Sequence, residues 1–352
     1  MQFSATRLAL LCLLGAALAG CQAKNPHIDD VKDIPSTIKA QLAFTCTHES
    51  ERIPPRDPEA DQLYKHARWL VKGNRLQPKD EVFLKIERLV RIANAYGHDK
   101  ANIELRQLIQ SGKAVSTDRR KEVIDLTESL IERGIPSGYY AMGWYLERGY
   151  GVKADPELAL KYYRKSADLG SPEGQFLVGN LLIDVLKNGR PITDIGLMMR
   201  RCAADQGHAE AAGRHAIYLQ AERQYANAMR YYQIAAAAGR SVSAYSLANA
   251  FSVRDHANPD FGLGQPIDAE RERRYRQISS FLDGYDYLHA TVPEIDKIVP
   301  LPPAPLPAWD GKFQWLQEYE ANVPPPLPSA ERIAEMARAK GLDPKTGRPV
   351  AR

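Results

Sequence analysis

The stretch from Gly138 to Gly170, GYYAMGWYLERGYGVKADPELALKYYRKSADLG, contains the pattern that decides the fold. Met142 and Leu146 follow Gly138 at intervals of four residues. This spacing places them on one helix face, because an α-helix has about 3.6 residues per turn. Asp155 is a residue type that starts helices, and the segment after it ends at a glycine. The stretch therefore predicts two helices joined by a short turn, which is a helical hairpin.

The same pattern recurs along the chain with a glycine as its marker. Predicted helices end at intervals of 37, 36, 37 and 32 residues, at Gly97, Gly134, Gly170, Gly207 and Gly239. Small or large apolar side chains recur at fixed distances after these glycines, and positions four, eight and twelve residues on share one helix face. Glycine adopts the left-handed conformation that closes a helix without strain. The period predicts a stack of five or six hairpins, because one hairpin alone cannot bury both of its faces.

The quoted stretch resembles a Sel-like repeat, the bacterial relative of the tetratricopeptide repeat. The residues that carry the resemblance are Gly149, Gly151, Val152, Asp155, Ala159, Tyr162 and Tyr163. Small residues nine positions after a repeat glycine, Gly143 and Gly179, allow helices to approach closely. The resemblance covers roughly residues 134–280 and is weaker before Gly134. It implies an all-α, right-handed α/α helical-hairpin solenoid, which we place at residues 60–284.

Residues 1–20 have the pattern of a secretory signal peptide, with Arg7 before a short apolar core and small residues at its end. Leu18-Ala19-Gly20-Cys21 resembles the lipobox of bacterial lipoproteins, in which the cysteine thiol is acylated and becomes the new amino terminus. The resemblance implies a lipid on Cys21. Ordinary cleavage near Ala19, which would leave Cys21 as a free thiol, is the alternative.

The cellular location of the protein can be predicted from the residues around Cys21. By the sorting rule of bacterial lipoproteins, Gln22 after the acylated cysteine implies the outer membrane. Residues 21–59 are polar and contain several prolines, so we expect a lipidated, flexible tether. The sequence thus predicts a periplasmic protein that contacts the membrane through its lipid anchor alone.

Two cysteines, Cys46 and Cys202, remain after the signal is removed and Cys21 is acylated. An oxidising compartment permits a disulfide between them. Cys202 falls on a predicted buried helix, where a free cysteine also packs well as a small apolar side chain. The sequence leaves both states open.

Charge identifies no partner class. The chain has 47 lysines and arginines against 43 aspartates and glutamates, and both signs are interspersed throughout. A surface for nucleic acid would require a basic excess on one segment. We therefore expect no nucleic-acid partner.

The carboxyl-terminal segment, residues 285–352, differs in composition from the repeats. Residues 293–328 hold ten of the 24 prolines, with Trp309, Phe313 and Trp315 among them. These aromatic residues favour an extended segment that packs on the last repeat as a cap, and a disordered spacer is the alternative. Ser329 predicts the start of a short helix that Gly341 ends.

Catalytic and metal-binding motifs are missing from the sequence. It has no Gly-x-Ser-x-Gly elbow, no His-Glu-x-x-His motif and no phosphate-binding glycine loop. His208, Glu210 and His215 come closest to a metal set. A structural role is favoured, since His208 follows a repeat glycine and His215 takes a core-facing position. We expect no catalytic residue, no metal and no cofactor, so the chain is predicted not to be an enzyme.

A protein-binding surface is expected on the first helix of each hairpin, which lines the concave face in related solenoids. The positions ten residues after the repeat glycines are Gln107, Trp144, Asn180, Ile217 and Asn249. Tryptophan is enriched in interface hot spots. Trp144 is either such an anchor or a packing residue against the neighbouring repeat.

The lipobox, the repeats and the proline-rich stretch from Val292 to Gly311 together resemble proteobacterial periplasmic lipoproteins encoded beside type VI secretion effectors of the phospholipase D class. In that family the repeat protein is the immunity partner. The resemblance implies that this chain binds such an effector and blocks its active site before it hydrolyses the producing cell's phospholipids. An envelope scaffold or adaptor protein is the alternative, and a hydrolase is a third hypothesis.

Overall fold

The structure is a computed structural model that describes residues 43–185, 190–252 and 259–350, without the side chains of residues 184, 185, 190–192, 259 and 260. The predicted signal peptide, Cys21 and most of the tether lie outside the described residues. In the described part no strand is formed, and an isolated β-bridge joins Leu342 and Pro349. None of the described helices is both long enough and apolar enough to cross a bilayer.

The α-helices follow one another along the whole described chain. In order they are α1 (Pro58–Gly73), α2 (Asp80–Ala95), α3 (Asp99–Gln110), α4 (Arg119–Glu132), α5 (Pro136–Arg148), α6 (Pro156–Asp168), α7 (Pro172–Val185), α8 (Arg190–Asp205), α9 (Ala209–Ala221), α10 (Tyr225–Ala237), α11 (Ser241–Ala250), α12 (Pro259–Gly262), α13 (Ala269–Gly284), α14 (Ile295–Ile298), α15 (Gln314–Ala321) and α16 (Ala330–Ala339). Short 3₁₀ helices occupy Glu49–Glu51 and Asp286–Leu288.

The chain forms two compact units. Unit I contains residues 49–169 and the tail from residue 322, and its hairpins are α1 with α2, α3 with α4 and α5 with α6. Unit II contains residues 170–321 and the described residues 43–48, and its hairpins are α7 with α8, α9 with α10 and α11 with α13. The predicted all-α solenoid of helical hairpins is confirmed.

A repeat glycine closes each of the first five hairpins. The five φ angles are +80° at Gly97, +70° at Gly134, +105° at Gly170, +83° at Gly207 and +105° at Gly239, all in the left-handed region. Next to the first of these glycines, the N–H of His98 donates to the carbonyl of Ala93 at 3.2 Å. The following helix begins two residues after each glycine. A left-handed residue therefore turns the chain from one hairpin into the next.

Small residues bring the paired helices together. A Cβ atom on Gly143 would lie 2.7 Å from the ring of Tyr163 on the partner helix α6. A Cβ on Gly179 would lie 2.8 Å from the carbonyl oxygen of Gly196, so α7 and α8 touch backbone to backbone. Glycine at these positions sets the helix spacing, and any side chain would force the pair apart.

The amino-terminal end of the described chain is fixed to unit II. A disulfide joins Cys46 to Cys202 on α8, with their Cα atoms 5.7 Å apart. Gln175 donates a hydrogen bond to the carbonyl of Thr47 at 2.8 Å, and Phe44 is buried. The structure thus contains the pairing that the sequence left open. Residues 43–48 are packed where a flexible tether, residues 21–59, was expected, and α1 begins at Pro58.

The proline-rich segment packs on the last hairpin of unit II. The N–H of Val292 donates to the carbonyl of Ala237 at 2.9 Å, and Ile295 and Ile298 are buried in the same core as α10 and α13. The guanidinium of buried Arg274 donates to the carbonyls of Ile298 at 2.6 Å and Pro307 at 2.9 Å. The prediction of a proline-rich cap is confirmed, and a disordered spacer is excluded for this segment.

The last helix belongs to unit I. Residues 285–352 were predicted to form a proline-rich cap and a short helix, without a packing partner for the helix, and residues 322–350 pack in unit I on the first hairpin. Tyr96 of the segment after α2 donates to the carbonyl of Met336 at 3.2 Å, and Trp69 of α1 donates to Asn322 at 3.0 Å. Ile333 and Met336 supply an apolar face that the first hairpin buries.

A buried carboxylate joins the tail to unit I. Glu87 of α2 has a fully buried side chain that accepts from Arg91 at 2.8 Å and from Arg348 at 3.0 Å. Arg91 continues to Glu122 on α4 at 2.5 Å. Burial alone would raise the pKa of Glu87, but the two guanidinium groups outweigh it, so the pKa lies below its ordinary value. A buried charge of this kind requires its partners.

We expect Arg348→Ala to lower the free energy of unfolding of unit I by about 1–3 kcal/mol at pH 7, because Glu87 loses one of its two charged partners. The stabilisation that Arg348 contributes requires ionised Glu87. It is therefore fully present above the pKa that Glu87 has in the unfolded chain, and it is lost as the pH falls through the lower pKa of the folded state. Urea unfolding from pH 7 to 4 measures it, with exposed Arg338→Ala as the matched control. Equal stability of the two variants would contradict the assignment.

We expect Cys46→Ser to lower the stability of unit II by about 2–4 kcal/mol, because the disulfide spans 156 residues and restricts the unfolded chain. Cys46 is the better position to change, since Cys202 is buried and its thiol still packs as an apolar group. Urea unfolding with and without a thiol reductant tests this. Reduced wild type should match the variant, and a variant as stable as oxidised wild type would refute it.

Candidate functional site

The predicted surface residues are divided between the two units. Gln107 on α3 and Trp144 on α5 belong to unit I, and Gln107 is exposed. Trp144 is half-buried and packs within its own hairpin, edge-on to Tyr145 with ring centroids 5.5 Å apart. The guanidinium of Arg148 lies 4.3 Å from the centre of the Trp144 ring. Residues one and four positions further along the chain thus pack against much of this side chain.

The other three predicted residues belong to unit II. Asn180 on α7 accepts a hydrogen bond from Arg200 at 2.7 Å, which ties it to α8. Ile217 on α9 and Asn249 on α11 line one cavity of about 690 Å³. The register of ten residues after the glycine therefore brings two of the five residues into one place.

We call this cavity the apolar groove. Its lining residues come from α9, α10, α11, α12 and the residues next to α9 and α12, and they are Ile217, Gln220, Ala221, Arg223, Tyr232, Tyr245, Ser246, Asn249, Phe261 and Leu263. Tyr232 and Leu263 are buried and form the floor. Three large apolar side chains stand exposed around it, Ile217 at 52%, Tyr245 at 49% and Phe261 at 51%.

Tyr245 and Phe261 are site residues that the sequence reasoning missed. Tyr245 lies six residues after Gly239 and Phe261 lies on the four-residue helix α12, so neither occupies a repeated register position. The signal available for Tyr245 was its large aromatic side chain on the first helix of the hairpin. No periodic signal marks Phe261.

The polar groups of the apolar groove are few. Tyr232 on the floor donates to the side-chain oxygen of Gln220 at 2.5 Å. Arg223 has a left-handed backbone, with φ of 57°, and an exposed side chain that forms no ion pair with any described residue. The side-chain oxygen of Asn249 is buried and accepts no hydrogen bond from the described part of the chain.

The possible metal set does not converge. His208 caps α9, where its Nδ1 accepts from the N–H of Ala211 at 3.1 Å. Glu210 is paired with Arg214 at 2.8 Å and Arg240 at 2.9 Å. His215 is buried edge-on against the ring of Tyr231. Each of the three side chains is thus used structurally.

A second group, Cys46, His48 and Cys202, has its potential ligand atoms within 4.8 Å of one another. The two sulfur atoms are bonded to each other. Because the thiolate is the form that binds metal, this group is a disulfide with a neighbouring histidine.

His215 is held neutral by its surroundings. Burial, and then the charges of Arg201 and Arg200, lower its pKa to about 4, although Asp205 opposes them. Its Nδ1 has no hydrogen-bond partner in the described structure. At the equivalent register position the other hairpins carry Leu105, Met142, Val178 and Leu247.

We expect His215→Met to reduce the acid sensitivity of unit II. A histidine whose folded-state pKa is depressed costs stability as the pH falls from about 6.5 toward 4, because only the unfolded state takes up the proton. Between pH 7 and 5 wild type should lose about 2 kcal/mol more than the variant. Urea unfolding at the two pH values is the measurement, and an equal loss in both proteins would contradict it.

Comparison with family models identifies two regions. The Sel1 repeat model matches residues 136–171 and 214–239. A domain of unknown function, DUF6396, matches residues 243–350, a region that begins on α11 and includes the proline-rich segment and the tail. No curated protein matches the chain.

Three solved structures from Pseudomonas aeruginosa resemble the chain over most of their own length. Immunity protein Pa5087 is 30% identical, with 75% of this chain and 96% of that chain covered and a TM-score of 0.54. Immunity protein PA5088 is 28% identical, with coverages of 74% and 95% and a TM-score of 0.56. PA5086 is 28% identical, with coverages of 74% and 96% and a TM-score of 0.54. The chain therefore belongs to the family of Sel1-repeat proteins that includes immunity protein Pa5087.

Proposed function

We propose that this protein is a periplasmic immunity lipoprotein, which binds and neutralises a type VI secretion phospholipase effector and so protects the producing cell. The observation that carries the proposal is the 30% identity to an immunity protein across 96% of that protein's length. Two further relatives of similar coverage come from the same organism, and PA5088 is also named an immunity protein. Sel1 repeats are protein-binding modules, which supports a protein partner.

The proposed mechanism is occlusion and not catalysis. A stack of helices offers a rigid surface, and a rigid binder loses little conformational freedom on association. The exposed apolar side chains of the groove in unit II give such a surface an anchor point. A bound inhibitor of this size would block the access of a phospholipase to the bilayer.

The proposed location follows from the amino terminus. The disulfide of Cys46 with Cys202 is stable in an oxidising compartment, which supports the periplasm. An acylated Cys21 would hold the inhibitor at the membrane whose phospholipids the effector attacks. Tethering to one surface raises the effective concentration of each protein for the other.

We expect the protein to rescue a heterologous bacterium whose periplasm receives the phospholipase D-class effector encoded beside its gene. Survival should rise by several orders of magnitude with the wild-type gene, because an effector held in a complex no longer reaches phospholipids. Colony counts and the release of phosphatidic acid measure the outcome. A catalytically inactive effector is the matched control, since it should be harmless with and without the immunity gene.

Deletion of residues 1–20 should abolish protection, because the protein then stays in the cytoplasm. Cys21→Ser should release the protein from the membrane fraction and weaken protection. Continued killing with abundant, correctly located wild-type protein would overturn the proposal. If purification under those conditions then retained envelope-assembly components and no lipase, the scaffold hypothesis would replace it.

A further inference from the structure

We propose that the apolar groove of unit II receives one aromatic side chain of the effector, flanked in the effector's sequence by an aspartate or glutamate. This inference rests on the proposed function, since it takes the partner to be the secreted phospholipase, and it adds the contact that carries recognition.

Three large apolar side chains are exposed around one cavity. Ile217, Tyr245 and Phe261 are each about half exposed, although each is large enough to be buried in a core. They stand on three different helices, α9, α11 and α12, so they form walls and not a stripe along one helix. Clustered exposed apolar groups on a soluble protein mark contact sites for other proteins.

The shape of the groove favours a single inserted side chain. Its floor is closed by buried Tyr232 and Leu263, while its walls remain open to solvent. A volume of about 690 Å³ accommodates a large side chain with part of its own backbone. Aromatic side chains pack well between aromatic walls because edge-to-face and offset contacts with Tyr245 and Phe261 are favourable.

The charge that the groove presents is positive. None of the described lining residues is acidic, and Arg223 contributes a guanidinium group without an ion pair among the described residues. The groove therefore offers the positive charge of Arg223, which a carboxylate complements.

The test begins with the purified protein and a phage-displayed library of random dodecapeptides. We expect selected peptides to share an aromatic residue next to an aspartate or glutamate. Synthetic copies should bind Ile217→Glu at least tenfold more weakly, since the variant places a carboxylate where the aromatic ring inserts. They should bind Arg223→Gln several-fold more weakly, with a smaller dependence on salt concentration.

The matched control is Leu76→Glu, which makes the same kind of change at an exposed leucine of unit I. It should leave peptide binding unchanged. Circular dichroism and thermal unfolding establish that the variants are folded. Selected peptides without an aromatic residue or an acidic residue, or peptides indifferent to Ile217→Glu, would overturn the inference. A dimer that Ile217→Glu converts to a monomer would also overturn it, because the occupant would be a second copy of the chain.

The rescue experiment separates this inference from the proposed function. Protection by wild type and by folded Ile217→Glu alike would leave the immunity function standing and refute the groove as its contact. If wild type fails to protect but binds peptides as expected, the immunity function is refuted. The inferred preference of the groove for an aromatic residue next to an acidic residue then still stands. Protection that Ile217→Glu loses and Leu76→Glu keeps supports both.

Discussion

The left-handed glycine that separates successive hairpins is the constraint on which the array depends. A side chain in this backbone conformation costs about 1–2 kcal/mol, and the next helix begins only two residues later. Because the connection is so short and its dihedral angles are fixed, the following helix starts in a set direction. Positions counted from these glycines consequently return to equivalent places in successive hairpins. That is why Ile217 and Asn249, both ten residues after a repeat glycine, line the same cavity.

Features with a local or periodic cause were predictable from the sequence. The spacing of the glycines predicted the hairpins, since helix closure is a local property of the backbone. Ser329 predicted the start of the last helix for the same reason, and it accepts a hydrogen bond from the N–H of Arg332 at 3.2 Å. His208 was interpreted as structural from its place beside a helix end, and its Nδ1 accepts from the N–H of Ala211 at 3.1 Å.

Features that depend on distant contacts were not predictable. Nothing near Arg348 in sequence indicates that it reaches Glu87, so no packing partner could be predicted for the tail. Phe261 lies in a short helix outside the repeat register, so no count from a glycine could place it in the groove. The sequence left two interpretations of Trp144, an interface anchor or a residue packed against the neighbouring repeat. They differ only in what lies beside the side chain. The structure places Tyr145 and Arg148 there, which accounts for its partial burial without a partner protein.

The position of the tail has a consequence for how the protein is made. Glu87 and Arg348 are 261 residues apart in sequence, and a ribosome adds about 5–20 residues per second. The first hairpin thus waits on the order of 10–50 s for the residues that complete it. A chain that stops before α16 leaves its earliest hairpin with an uncovered apolar face and an incompletely paired buried carboxylate. Synthesis of the tail is in this way a condition for closing the part of the protein that is synthesised first.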